Sequence, residues 1–138
     1  MTDDTFTYSN TVQWTGEHKG TLAHIGKPDI QFATPPEFGG HVGIISPEDL
    51  FVSSINTCFM TTFLAFAKKA DINLRSYNST ASGTLSKVEG KRQFTIICLA
   101  ISIDSDADDE IITSMIEKVK QHSIAVNSIK AQVDVVLT

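Results

Sequence analysis

Two cysteines and four histidines are the first residues in this 138-residue chain to weigh for chemistry. Cys58 lies midway along an uncharged stretch, among Ile55, Phe59, Met60 and Phe63. Apolar surroundings raise a thiol pKa unless a positive partner is present. Free cysteine is also among the most buried residue types, so the pattern alone fits a small core residue better than a nucleophile. Cys98 alternates with Phe94 and Ile96 in strand-like sequence and reads still more as core. His18, His24, His41 and His122 are never spaced four apart, and none adjoins a cysteine, so no metal site is expected. No Gly-x-Ser-x-Gly elbow supports a serine hydrolase. Gly39-Gly40-His41-Val42-Gly43 precedes a helix but lacks the Lys-Ser/Thr pair and the dinucleotide glycine spacing, so no phosphate-bearing cofactor is implied. The acidic run Asp104 to Glu110 lacks the glycine and distal glutamate of a calcium loop. It suits a helix N-terminus, with Lys118, Lys120 and His122 at the opposite pole.

The element that must position Cys58 runs from Ser46 to Lys69. Ser46 is a good N-cap and Pro47 suits the first helical position. Asp49, three residues on, completes a capping box with Asp in place of Glu or Gln. No charge appears between Asp49 and Lys68, and apolar side chains point in nearly every direction. Such a helix is expected to be buried nearly all round. It is long enough to raise a membrane span. Its load of Ser53, Ser54, Asn56, Thr57, Thr61 and Thr62 argues instead for a central helix wrapped by sheet.

Around this helix the chain reads as strands Thr5–Trp14, Thr21–Ile25 and Ile30–Ala33, then a loop over Thr34–Ile45. A hairpin follows, Leu74–Lys87 and Gln93–Ile103, turning at Val88 to Lys91. In its second strand Phe94, Ile96, Cys98 and Ala100 face one way and Thr95, Ile97, Leu99 and Ile101 the other, which predicts a central strand. A second helix buries Ile112, Met115, Ile116 and Val119, the chain breaks over Ser123–Ile129, and Ala131–Leu137 is a last strand. The expected fold is α+β, a single domain over residues 1–138, ordered β-β-β-α-β-β-α-β with a mostly antiparallel sheet of six strands. The central helix carries more apolar surface than such a sheet can cover, which predicts a homodimer.

Net charge is −5 with no basic run, which argues against nucleic acid as a partner. Nothing at Met1-Thr2-Asp3-Asp4 resembles a secretory leader, and two cysteines make no disulfide framework. These features predict a cytoplasmic protein that does not enter a membrane.

Pro47-Glu48-Asp49-Leu50-Phe51-Val52-Ser53-Ser54-Ile55-Asn56-Thr57-Cys58-Phe59 resembles the proline, leucine and cysteine signature of the OsmC/Ohr family, the osmotically induced and organic-hydroperoxide-resistance proteins. Ala33-Thr34-Pro35-Pro36-Glu37-Phe38-Gly39-Gly40 resembles the loop before that helix, and the order of elements agrees. The resemblance implies an intertwined homodimer with active sites between subunits. It implies reduction of small organic hydroperoxides by a reactive cysteine, Cys58, with Glu48 as the acid that orders the site. Ten residues of helix span about 15 Å, so Glu48 cannot touch Cys58 within one straight helix. An interface site would resolve this.

Two positions depart from the family. Ser123 falls where the resolving cysteine should be, and serine forms no disulfide. No arginine precedes Arg75, so the thiolate-stabilising arginine is missing; His18 and Lys19 sit nearest its place, without arginine's bidentate fork. A sulfenic acid on Cys58 would then need Cys98, within about 7 Å between Cα atoms, or an external thiol reductant. The first expectation is a one-cysteine thiol peroxidase of low or specialised activity. An alternative is an OsmC-like dimer without efficient peroxidase activity that binds a small apolar or thiol ligand. A third, a hot-dog-type thioesterase, fits poorly, because a second helix interrupts the strands and no acid is placed mid-helix.

Overall fold

A computed structural model describes residues 4–138, whose contacts group into two compact units, residues 4–50 and 51–138. The first unit is an antiparallel meander of β1 (Thr11–Gly16), β2 (Lys19–Ala23) and β3 (Ile30–Ala33). Glu17 and His18 alone form the β1–β2 turn, with Gly16 and Glu17 at positive φ (119° and 50°). That tight turn starts β2 at Lys19, two residues earlier than expected. Thr11 pairs with Ala23, the last residue of β2, so β1 begins at Thr11, six residues after the expected start at Thr5. The loop after β3 holds one 3-10 turn, Pro36–Phe38, and returns to bridge Phe32 with Ile45. Helix α1 (Pro47–Lys69) starts in this unit. Its capping box is made as the sequence predicts: the Asp49 N–H donates to Ser46 Oγ (3.1 Å) and the Ser46 N–H to Asp49 Oδ2 (2.9 Å).

In the second unit, the rest of α1 packs with a sheet in the order β4-β5-β6. β4 (Leu74–Val88) and β5 (Lys91–Ser105) form a long antiparallel hairpin turned by Glu89 and Gly90, both at positive φ. Helix α2 (Asp109–His122) and a short α3 (Ile124–Asn127) then cross to β6 (Gln132–Leu137), which pairs with β5 in parallel. A parallel neighbour requires such a crossover. The chain therefore builds two three-stranded sheets, not one of six; their pairing is mostly antiparallel, as expected, with β5–β6 the parallel pair. α3 fills part of the expected break.

The core unites Ile55, Phe59, Phe63 and Ala67 of α1, Ile97, Leu99 and Ile101 of β5, the predicted Ile112, Met115, Ile116 and Val119 of α2, and Val133 of β6. β5 is central, as its two apolar faces predict. Phe94, however, lies on the face of Ile97, stacked on Phe51 at 4.8 Å, because a bulge at Thr95 reverses the alternation. α1 is buried along one stripe only. Leu64 is 39% exposed, and Phe51, Val52 and Phe66 are half-buried, so one chain does not enclose this helix. α1 also has the length and apolarity to cross a membrane, a test that the core helix of a soluble protein passes as well.

Candidate active site

Cys58 lies on α1 beside the buried stripe and is half-buried. Ser123, the residue between α2 and α3, is fully buried, and its Oγ donates to Cys58 Sγ at 3.4 Å. The same Oγ caps α3 by accepting from the Val126 N–H (3.5 Å). Its lone pair serves the cap and its single proton serves the sulfur. The Ala125 N–H donates to the same sulfur at 3.5 Å.

Thr62, one turn after Cys58, lies 3.9 Å from the sulfur, but its proton goes to the Cys58 carbonyl at 2.8 Å. Its help to the sulfur is accordingly small. Burial pushes the Cys58 thiol up, while hydrogen bonds from Ser123, Ala125, Thr62 and Ile124 push it down. The bonds win, and the thiol lies below its ordinary value. Ionisation is thus favoured by hydrogen-bond donors.

A cleft of about 350 Å³ opens beside the sulfur, a volume suited to a small molecule. Cys58, Thr62, Phe66 and Lys69 line it along one face of α1, and His122 and Ile124 close the other side. His122 is held edge-on to Phe66 (5.4 Å), with Nδ1 2.8 Å from the Lys118 carbonyl. A carbonyl only accepts, so Nδ1 carries the proton there.

The structure thus brings together two of the residues picked out in the sequence, Cys58 and Ser123. Cys98 takes no part. It alternates with Ile97 and Leu99, which face α1, and so points to the opposite face of the sheet; both cysteines are free. Glu48 sits in the first turn of α1, its Oε1 buried with no hydrogen-bond partner among the described residues. Lys19 pairs with Glu17 at 3.3 Å. His18 is exposed in the β1–β2 turn, its ring 6.3 Å from that of His41. Thr62, the Ala125 amide, Lys69 and His122 were not picked out as site residues. Thr62 was within reach as a hydroxyl four residues after Cys58. The others depend on how α2 and α3 return to α1. Among the described residues no cluster of side chains is suited to a metal.

The sequence matches a family model described as OsmC-like protein over residues 40–138. No curated protein matches it. Similar solved structures include an OsmC-like protein of unknown function from Vibrio cholerae, 20% identical, with TM-score 0.90 over 97% of this chain and 100% of that one. An organic hydroperoxide resistance protein OsmC from Legionella pneumophila is 24% identical, with TM-score 0.76 over 96% of this chain and 97% of that one. An organic hydroperoxide resistance protein from Vibrio cholerae, with captopril bound in one of its active sites, is 21% identical, with TM-score 0.77 over 99% and 94%. With the family match spanning most of its length and the same fold in these proteins, the chain belongs to the OsmC-like family.

Proposed function

We propose that this protein reduces organic hydroperoxides with Cys58 as its single redox cysteine, in a homodimer. The observation that carries the reading is the pair of donors on the sulfur, Ser123 Oγ at 3.4 Å and the Ala125 N–H at 3.5 Å, which favour a thiolate. The thiolate attacks the outer oxygen of the hydroperoxide. The O–O bond breaks, an alkoxide leaves and takes a proton as the alcohol, and Cys58 is left as a sulfenic acid. Ser123 cannot resolve it, and Cys98 faces away, so an external thiol restores the enzyme. The family resemblance assigns Glu48 the role of ordering acid and His18 or Lys19 that of the missing arginine. In support of a dimer, Leu64 on α1 is exposed, and so are Phe6, Tyr8, Val12 and Trp14 (59–89%), the kind of apolar surface that marks an interface. The family assignment supports a cytoplasmic location.

Rapid mixing of the reduced protein with an alkyl hydroperoxide and, separately, hydrogen peroxide tests the reading. Cys58 is expected to be lost faster with the alkyl substrate. Cys58→Ser should abolish turnover and Cys98→Ser should preserve it; turnover in Cys58→Ser would rule the reading out. A second reading is a dimer that binds a small thiol without consuming peroxide. Ser123 in the resolving position favours it, as does captopril, a thiol, in a relative's active site. Cys58 loss no faster than that of a free thiol would select it.

A further inference from the structure

We propose that the thiol that reduces oxidised Cys58 is a small molecule bearing a carboxylate, seated in the cleft beside Cys58 with its anionic end at Lys69 and His122. The inference rests on the peroxidase reading, since it names that reaction's second substrate. With Ser123 in contact with the sulfur and Cys98 behind the sheet, no second thiol of this unit reaches Cys58 to supply the electrons. They must enter from outside, and the cleft of about 350 Å³ touches Cys58 directly.

The charge in that cleft has one sign. Apart from Cys58, its ionisable lining groups are Lys69 and His122, in a chain whose net charge is −5. Among the described residues neither forms a salt bridge. Lys69 ends α1, where an ammonium often satisfies the last carbonyls. Here that work is done by the backbone: the Ala70 N–H bonds the Phe66 carbonyl, Asp71 bonds Lys68 and Ile72 bonds Ala67, at 3.0–3.1 Å. The ammonium of Lys69 is left for solvent or a ligand. His122 is held by Phe66 and the Lys118 carbonyl through Nδ1, which leaves Nε2 as its other polar atom.

Length narrows the class. From Cys58 to Lys69 the helix rises about 16 Å. Both side chains lean back toward the helix N-terminus, the long lysine further than the cysteine, which shortens the span from sulfur to ammonium to about 12 Å. Between them the wall is Thr62, Ala65 and Phe66. The fitting thiol has a mostly apolar or peptide-like spacer of that length. Its chemistry balances with two equivalents: the first thiol condenses with the sulfenic acid to a mixed disulfide and water, and the second releases Cys58 and leaves as the small-molecule disulfide.

The test uses thiol–disulfide exchange, which needs no peroxide. The reduced protein is mixed with the symmetric disulfides of mercaptohexanoate, mercaptohexanol and aminohexanethiol. Adduct formation at Cys58 is followed by mass spectrometry, normalised to rates with the urea-unfolded chain. The carboxylate is expected to lead the alcohol by about fivefold at low ionic strength and the amine to trail it. The lead should shrink in high salt, fall close to one in Lys69→Gln and return in Lys69→Arg. Equal normalised rates, or a lead that persists in the Lys69→Gln/His122→Gln double variant, would overturn the inference. If alkyl hydroperoxide oxidises Cys58 rapidly but exchange shows no charge preference, the peroxidase reading stands and this inference falls. If exchange selects the carboxylate but peroxide reacts no faster than with a free thiol, the peroxidase reading falls and with it the reductant role.

Discussion

A serine in contact with a nucleophilic sulfur differs from a cysteine there in one respect that matters: it donates a proton but cannot accept a disulfide bond. Ser123 spends its lone pair on the α3 cap, so its hydrogen has the Cys58 sulfur as its partner. Ser123→Ala removes that donor and should move the midpoint of Cys58 alkylation by iodoacetamide upward, toward an ordinary thiol. An unchanged midpoint would mean the backbone amides carry the effect alone. The sign for stability follows from the lowered thiol pKa. The folded state favours the thiolate, so the contribution is complete above the unfolded thiol pKa and is lost as pH falls through the folded value. Ser123→Cys should restore a resolving thiol. Oxidation should then join Cys58 to the introduced thiol in a disulfide, read as the loss of two hydrogens by mass spectrometry, provided the Cα atoms lie within about 7 Å. A stable sulfenic acid in that variant would show that the geometry forbids it.

At the scale of elements, the fit of α1 on the hairpin sets where Cys58 sits. Gly83 lies under the helix: an added Cβ would stand 2.8 Å from both Val52 Cγ2 and Phe94 Cε1. Gly83→Ala should therefore destabilise by about 1–3 kcal/mol through overpacking, seen as a lower Tm. Tyr77 packs on Phe63 at 5.3 Å with its hydroxyl buried and without a hydrogen-bond partner among the described residues. Burial pushes that phenol up to about 12, against a smaller lowering by the nearby Ser79 hydroxyl, whose own proton is spent on Asn56 Oδ1 (2.6 Å), so Tyr77 stays neutral over the working range. Tyr77→Phe removes an unsatisfied polar atom and should stabilise by about 1 kcal/mol. A lower midpoint in urea would reveal a partner for that hydroxyl in solution. The bulge at Thr95 could not be read from alternation, because a residue is extra only relative to the register of the partner strand β4.

For the whole molecule, the exposed apolar residues of β1 and α1 point to a second copy of the chain. Sedimentation equilibrium should give twice the chain mass, and Leu64→Lys should shift the population toward monomer. A monomeric wild type at micromolar concentration would remove the interface from the proposed mechanism. The α1 sequence already showed more apolar surface than its own chain could cover. The structure narrows that surplus to the half-buried and exposed residues outside the stripe of Ile55, Phe59, Phe63 and Ala67.

Local patterns were enough for the sequence to determine the start and end of α1, its capping box, the hairpin, the buried face of α2 and the family signature around Cys58. Each rests on residues within a few positions of one another, where propensity and periodicity act. The tertiary structure alone decided that β6 runs parallel to β5, that the Thr95 bulge turns Phe94 inward, that Cys98 faces away from α1, and that the Ala125 amide, Lys69 and His122 meet at one cleft. The bulge depends on the register of the hairpin, and the parallel strand and the cleft depend on the return of α2 and α3 across the sheet to α1. Packing between segments more than 60 positions apart sets that path, and no local spacing records it.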